Sequence, residues 1–377
     1  MQYTSTRGRV PPVDFSTAVA HGLAPDGGLY VPRSYPQVGP SFLRHLGEMS
    51  WQQIAEEIML PFVTPDISQE ELRHIIDKAT ATFEHQQVTP VRPLGDDIWL
   101  LELFHGPTLA FKDVALQMLG HMLDHALQKE KRPLTVLGAT SGDTGSAAIA
   151  GLQGRDHITS YILFPKGRVS PIQQKQMTTT GAANVHPIAI EGTFDDCHHM
   201  VKAAFGDKMF REEVNLTAVN SISWARLLPQ IVYYFYAWSR LPDDVAGENI
   251  SFAVPTGNFG DVFAGYVARR MGLPIDKLVI ATNVNDILVR FLHEGDYSKR
   301  EVTPTDSPSM DIMVASNFER LLFDMIDRDS QKLTHMMHTF ADKGELPPLT
   351  EAQMARMRDI FEATSVSDKE AGETIRL

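Results

Sequence analysis

Two periodicities divide the chain. At 50–60 and 69–83, apolar side chains recur every three or four residues, which predicts amphipathic helices in a leading region that runs to about residue 90. Within it, Asp26-Gly27-Gly28 reads as a turn ahead of Leu29-Tyr30-Val31. From Pro90 onward the pattern changes. Short apolar runs at 99–104, 134–139, 158–164, 185–190, 250–254 and 278–281 alternate with helical patterns at 113–129, 144–153, 195–208, 224–240 and 260–271. That alternation predicts an α/β body, a mostly parallel sheet with helices on both faces. A last helical pattern covers 350–363, and the tail from 365 is polar.

Length fits two or three domains at a prior of roughly 150 residues each, since the chain has 377 residues. With 43% hydrophobic and 21% charged residues it is globular in composition, which excludes wholesale disorder. The net charge of −13 argues against a nucleic-acid-binding surface and against a polybasic membrane anchor, but leaves room for one local anion pocket. Cys197 is the only cysteine, so an intramolecular disulfide or a multi-cysteine metal site is excluded. The first seven residues lack an apolar signal core, and no run approaches 18 apolar residues, so a cytoplasmic location is expected.

Chemistry concentrates where strands give way to helices, because helix N-termini offer N–H groups and a positive dipole end. Two such junctions are rich in glycine: Gly138-Ala139-Thr140-Ser141-Gly142-Asp143-Thr144-Gly145 and Pro255-Thr256-Gly257-Asn258-Phe259-Gly260-Asp261. Neither is a phosphate loop or a dinucleotide fingerprint, since the required Lys and Gly-x-Gly-x-x-Gly are missing. Each is open to two readings, an anion site or a plain steric turn.

Lys112 stands among apolar residues at the start of a helical pattern. Desolvation there favours a neutral, nucleophilic amine; the alternative is a lysine whose stem packs on the core while its head reaches water. In Asn220-Ser221-Ile222-Ser223-Trp224-Ala225-Arg226, Asn220 or Ser221 can cap the next helix. Arg226 would then sit early in that helix, where a cation is disfavoured unless an anion lies nearby. His121 and His125 flank Asp124 at metal-site spacing, but neither they nor His198-His199 or His335/His338 have a third ligand, so no metal is expected.

As a set these segments resemble the threonine synthase family, pyridoxal-phosphate enzymes of the tryptophan-synthase-β fold type (fold type II). The similarity runs from residue 3 to about 325, and includes Ala281-Thr282-Asn283 and Ser307-Pro308-Ser309-Met310-Asp311. The resemblance implies that Lys112, in Phe104-His105-Gly106-Pro107-Thr108-Leu109-Ala110-Phe111-Lys112-Asp113, is the catalytic Schiff-base lysine. It implies that Gly257, Asn258, Phe259, Gly260 and Asp261 wrap the phosphate of pyridoxal 5'-phosphate. Ser141, Gly142, Asp143 and Thr144 would meet the substrate carboxylate, and Asn220, Ser221 and Arg226 the phosphate of O-phospho-L-homoserine. The products would be L-threonine and phosphate.

Two other readings stay open. One is a dehydratase or sulfhydrylase of the same fold type, in which the Asn220, Ser221 and Arg226 site would have no substrate phosphate to hold. The other is a non-catalytic protein that binds a phosphorylated metabolite. The implied architecture is a leading region (1–90), a large cofactor domain (91–125 with 250–377) and a small movable domain (126–249), with the cofactor in the cleft. The resemblance also implies a further segment beyond 377, with a Thr-Ala-His-Pro-like motif whose hydroxyl partners the pyridine nitrogen, so the chain is expected to be a shortened form. A monomer or homodimer is expected.

Overall fold

The computed structural model describes residues 1–95, 97–130, 133–218, 222–242, 245 and 250–376. In chain order the elements begin β1 (Tyr3–Ser5), α1 (Phe15–His21), β2 (Tyr30–Pro32), α2 (Pro40–His45), α3 (Trp51–Val63), α4 (Gln69–Thr80), β3 (Val91–Gly95), β4 (Ile98–Leu101) and α5 (Lys112–Glu130). Next come β5 (Leu134–Ala139), α6 (Asp143–Leu152), β6 (Ile158–Pro165), α7 (Pro171–Thr178), β7 (Val185–Ile190), α8 (Phe194–Gly206), α9 (Lys208–Glu213), β8 (Leu216–Thr217) and α10 (Trp224–Ser239). The last are β9 (Ile250–Pro255), α11 (Gly260–Met271), β10 (Ile275–Thr282), α12 (Ile287–Glu294), α13 (Phe318–Met325), α14 (Ser330–Lys343), α15 (Glu351–Ile360), β11 (Phe361–Ser365) and α16 (Asp368–Ile375).

Local chemistry sets many of the boundaries. Capping boxes open α3 (Ser50 with Gln53), α4 (Ser68 with Glu71), α8 (Thr193 with Asp196), α15 (Thr350 with Gln353) and α16 (Ser367 with Glu370). In each, the cap hydroxyl accepts the N–H three residues on while that residue's side chain accepts the cap N–H, so two orphan donors are satisfied.

The chain forms two compact units, one of Met1–Gln2, Val13–Gly22 and Arg44–Leu241, the other of Tyr3–Pro12, Leu23–Leu43 and Pro242–Leu377. In the first, β7, β6, β5 and β8 form a parallel sheet in that order, with Val136 opposite Ser160 and Gly138 opposite Ile162. Its α10 is mostly apolar and buried on every side from Trp224 to Trp238, Arg226 and Gln230 included, and packs against α3 and α5. That is the pattern of a helix enclosed all round. In the second unit β11, β10 and β9 are parallel, while β1 and β2 pair antiparallel.

Three features differ from the sequence reading. The run at 99–104 is not a strand of the parallel sheets: β3 and β4 form an antiparallel hairpin that leaves Leu94 and Ile98 67% and 58% exposed. The helical pattern at 350–363 ends at Ile360, and the chain continues as β11, paired with β10 from Leu278↔Phe361 to Thr282↔Ser365. The polar tail folds into α16. The compact units are also drawn differently from the expected domains. Because α5 packs on α6 and α10, residues 91–125 fall with 126–241 rather than with 250–377.

Candidate active site

In the first unit the site is built on three helix N-termini. The loop before α5 is fixed by Asp113, which is fully buried and accepts from the Thr108 N–H (2.8 Å) and hydroxyl (2.7 Å). A Cβ at Gly106 would lie 2.4 Å from that of Asp113, so only glycine lets the loop close over this carboxylate. Lys112 is thereby held at the first position of α5, 7% exposed, and its Nζ donates to the carboxylate of Asp143. Burial pushes the Lys112 pKa below its ordinary value; Asp143 opposes this and Arg226 adds to it.

Asp143 opens α6, at the carboxyl end of β5, where ligands of parallel sheets gather. The N-cap there is Gly142, with no side-chain cap, but three of the N–H groups are used internally. Thr140 Oγ1 accepts from Gly142 (3.0 Å) and Gly145 (2.8 Å). The Thr144 N–H meets Asp143 Oδ1 at 2.8 Å. The hydroxyls of Ser141 and Thr144 have no partner among the described residues, and Ser141 is exposed.

Arg226 is the third residue of α10 and 4% exposed, and its Nε and Nη1 have no hydrogen-bond partner among the described residues. Burial pushes its pKa down to about 10, against the pull of Asp143. Arg226 feels the same Asp143 carboxylate that Lys112 engages, and its two unpartnered nitrogens leave buried donors for an anion. Asn220 and Ser221 lie outside the described residues; the N-cap of α10 is Ser223, without a side-chain cap bond.

The second unit carries the other glycine junction, at the carboxyl end of β9. Phe259 is the N-cap of α11, in the left-handed region at φ 64° and offering no capping side chain, so the first N–H groups of the helix lack an intrahelical acceptor. Gly257 is backed by the chain itself, since a Cβ there would lie 2.9 Å from the Ser309 carbonyl. The 303–311 loop that supplies Ser309 is tied to the end of β10. Asn283 Nδ2 donates to Thr305, Ser307 and Asp311, and Asn285 Nδ2 donates to Asp311 at 3.1 Å. An uncapped helix start beside a backed glycine suits a phosphate. A buried lysine of depressed pKa suits an aldehyde, so both donor sets fit pyridoxal phosphate.

Of the histidines at metal-site spacing, His121 faces an arginine. His121 meets both terminal nitrogens of Arg155 (3.0 and 2.9 Å), and burial with that cation pushes its pKa to about 3.

Residues 2–80 match the family described as threonine synthase N terminus, and residues 82–336 match the pyridoxal-phosphate dependent enzyme family. The chain belongs to the threonine synthase family. It is 47% identical over 375 residues to the threonine synthase of Pseudomonas aeruginosa, covering all of this chain and 79% of that protein. The crystal structure of PLP-bound threonine synthase from Brucella melitensis superposes with a TM-score of 0.97 at 48% identity, over all of this chain and 80% of that one. The threonine synthase structure from yeast gives 0.94 at 42% identity, over all of this chain and 78% of that one. The protein is therefore a pyridoxal-phosphate-dependent lyase of fold type II, a threonine synthase by family, and the cofactor expected from the sequence stands. Among the described residues no helix is long and apolar enough to cross a membrane.

Sequence reading missed the residues that hold the site together. Thr140 and Asp113 lie inside segments it quoted, but their roles depend on which N–H each side chain reaches. Arg320 carries one available signal, a charge beside Leu321-Leu322-Phe323 on a helix otherwise patterned for burial.

Proposed function

We propose that this chain converts O-phospho-L-homoserine and water to L-threonine and phosphate. The observation that carries the reading is Arg226, a buried guanidinium with two nitrogens unpartnered among the described residues, sharing with Lys112 the one carboxylate of Asp143. A substrate phosphate supplies the missing anion, which a dehydratase or sulfhydrylase substrate does not.

Pyridoxal phosphate, when bound, supplies an electron-accepting ring that stabilises negative charge developing on the substrate carbons. Lys112 would hold its aldehyde carbon, and Gly257, Asn258, Phe259, Gly260 and Asp261 its phosphate. The Ser141 and Thr144 hydroxyls at the start of α6 orient the substrate carboxylate, with Gly142 shaping the turn. Arg226 binds the leaving phosphate, with Asn220 and Ser221 as further ligands.

Lys112, whose pKa burial pushes below its ordinary value, removes the α-proton, and Asp143 holds the resulting ammonium. Loss of a β-proton lets phosphate leave the γ-carbon. The hydroxyl of water joins the β-carbon, and protons return to the γ- and α-carbons. A cytoplasmic location and a monomer or homodimer accompany this reading.

The test is release of threonine and phosphate from O-phospho-L-homoserine with pyridoxal phosphate supplied. Equal amounts of both are expected. Phosphate without threonine would favour a different lyase of this fold. No turnover with retained binding would favour the non-catalytic reading.

A further inference from the structure

Behind the Gly257–Asp261 loop, within the same compact unit, lies a buried chain of hydrogen bonds. Arg320 on α13 is fully enclosed. Its Nε and Nη2 donate to the Tyr30 carbonyl at 3.0 and 2.9 Å, and its Nη1 donates to Asn317 Oδ1. Asn317, also fully enclosed, donates its backbone N–H (3.0 Å) and its Nδ2 (3.1 Å) to the carbonyl of Asn258. One carbonyl thus takes two donors from one residue, and that residue is oriented by a guanidinium anchored on β2.

The geometry of a trans peptide gives this arrangement its consequence. The C=O and N–H of one peptide unit point in opposite directions. With the Asn258 carbonyl fixed toward Asn317, the Phe259 N–H is turned away from it. Phe259 completes the constraint: it is 1% exposed, packs edge-to-face on Phe318 at 5.4 Å, and keeps a φ of 64° that a bulky residue adopts only when its surroundings impose it. Burying Arg320 is expensive, and an apolar residue of similar volume would serve stability at least as well. Its burial calls for a role besides stability.

We propose that Asn317, oriented by Arg320, is a positioning residue for the phosphate cradle. By fixing the Asn258 carbonyl it aims the Phe259 N–H, along with the first N–H groups of α11, at the anion. This rests on the reading that the loop holds the cofactor's phosphate.

The test titrates the full chain separately with pyridoxal 5'-phosphate and with pyridoxal, following the lysine-bound chromophore by absorbance, and melts the unliganded protein in parallel. Asn317→Ala is expected to weaken pyridoxal phosphate by about fivefold or more while leaving pyridoxal within about twofold of wild type. Arg320→Lys is expected to act in the same direction, because one ammonium cannot reproduce the planar fork that serves Tyr30 and Asn317 together. It is the variant to use if Asn317→Ala does not fold. A folded variant that binds pyridoxal phosphate as wild type does, or that loses both ligands equally, overturns the relay alone. A wild-type protein that binds pyridoxal as tightly as pyridoxal phosphate overturns the cradle reading and the relay with it.

Discussion

Lys112 and Asp143, 31 residues apart, sit at the first positions of two different helices, and the lysine Nζ donates to the carboxylate. Burial lowers the pKa of the amine and the carboxylate raises it. Removing the carboxylate charge therefore lets Lys112 lose its proton at a lower pH. In Asp143→Asn, the pH dependence of the rate at which unloaded protein takes up pyridoxal phosphate should shift to lower pH. The stability effect has a definite sign as well. Between its folded pKa and the ordinary 10.5, the folded protein binds fewer protons than the unfolded chain, so stability rises with pH across that window. Asp143→Asn widens the window downward, which a pH series of thermal melts detects. An unmoved uptake profile would mean that Asp143 does not govern the amine.

Arg226 gives a prediction in which loss of function accompanies gain of stability. Burial pushes its pKa down to about 10 from the ordinary arginine range, which corresponds to a burial cost of about 3 kcal/mol. An anion beside it offsets that cost. In dilute buffer without phosphate, Arg226→Met should be at least as stable as wild type, with a gain of up to about 3 kcal/mol. Added phosphate should raise the melting temperature of wild type and leave that of the variant unchanged. The kcat/KM for O-phospho-L-homoserine should fall by roughly 100-fold or more. A variant that is less stable and still responds to phosphate would place the anion elsewhere.

How much of this was legible in the sequence depended on whether the signal was local. The strands at 134–139 and 185–190 and the helix at 260–271 have the bounds that periodicity and glycine turns predict, because their limits are set by nearby residues. β11 was hidden because its five residues, Phe361 to Ser365, have little apolar pattern of their own. It exists through pairing with β10, some eighty residues earlier. The β3–β4 hairpin was misassigned because its apolar content resembles that of a buried strand although much of it is exposed. The glycine junctions and Lys112 stood out from composition and position. The ties behind them, Thr140 to Gly142 and Gly145 or Arg320 to Asn317, depend on side-chain reach, which no spacing rule encodes.

Gly257 tests the second glycine junction. A Cβ there would come within 2.9 Å of the Ser309 carbonyl, a backbone atom that the Asn283–Asp311 network keeps from yielding. Gly257→Ala should therefore weaken pyridoxal phosphate by about tenfold or more, at a stability cost of about 1–3 kcal/mol. Gly372→Ala is the control. It lies inside α16 with nothing within 4 Å of its added Cβ, so it should stabilise by about 0.5–1 kcal/mol without touching cofactor affinity. Cofactor titration and thermal melts of the two variants decide. Unchanged affinity in Gly257→Ala would show that the loop has room the geometry denies.

The close crossing of α5 and α6 links packing to the reactive lysine. A Cβ at Gly151 would lie 2.3 Å from the Leu116 carbonyl, and one at Gly120 would lie 2.0 Å from the Gly151 carbonyl. Both obstacles are backbone, so an added methyl group can be accommodated only if the helices part. Leu116 is one turn beyond Lys112 on α5, and Asp143 begins the helix that carries Gly151. Parting the helices there moves the amine relative to its carboxylate. Gly151→Ala should cost about 3 kcal/mol or somewhat more, and should also slow pyridoxal phosphate uptake. A core change that leaves the crossing intact separates the two effects. Ile149→Val, at a fully buried position of α6 in the cluster with Ile162, Phe164, Met177 and Val185, should cost about 0.5–1.5 kcal/mol with uptake unaltered. If Gly151→Ala loses stability but takes up cofactor at the wild-type rate, the crossing serves the fold alone and Lys112 is positioned by the Asp113 loop without help from α6.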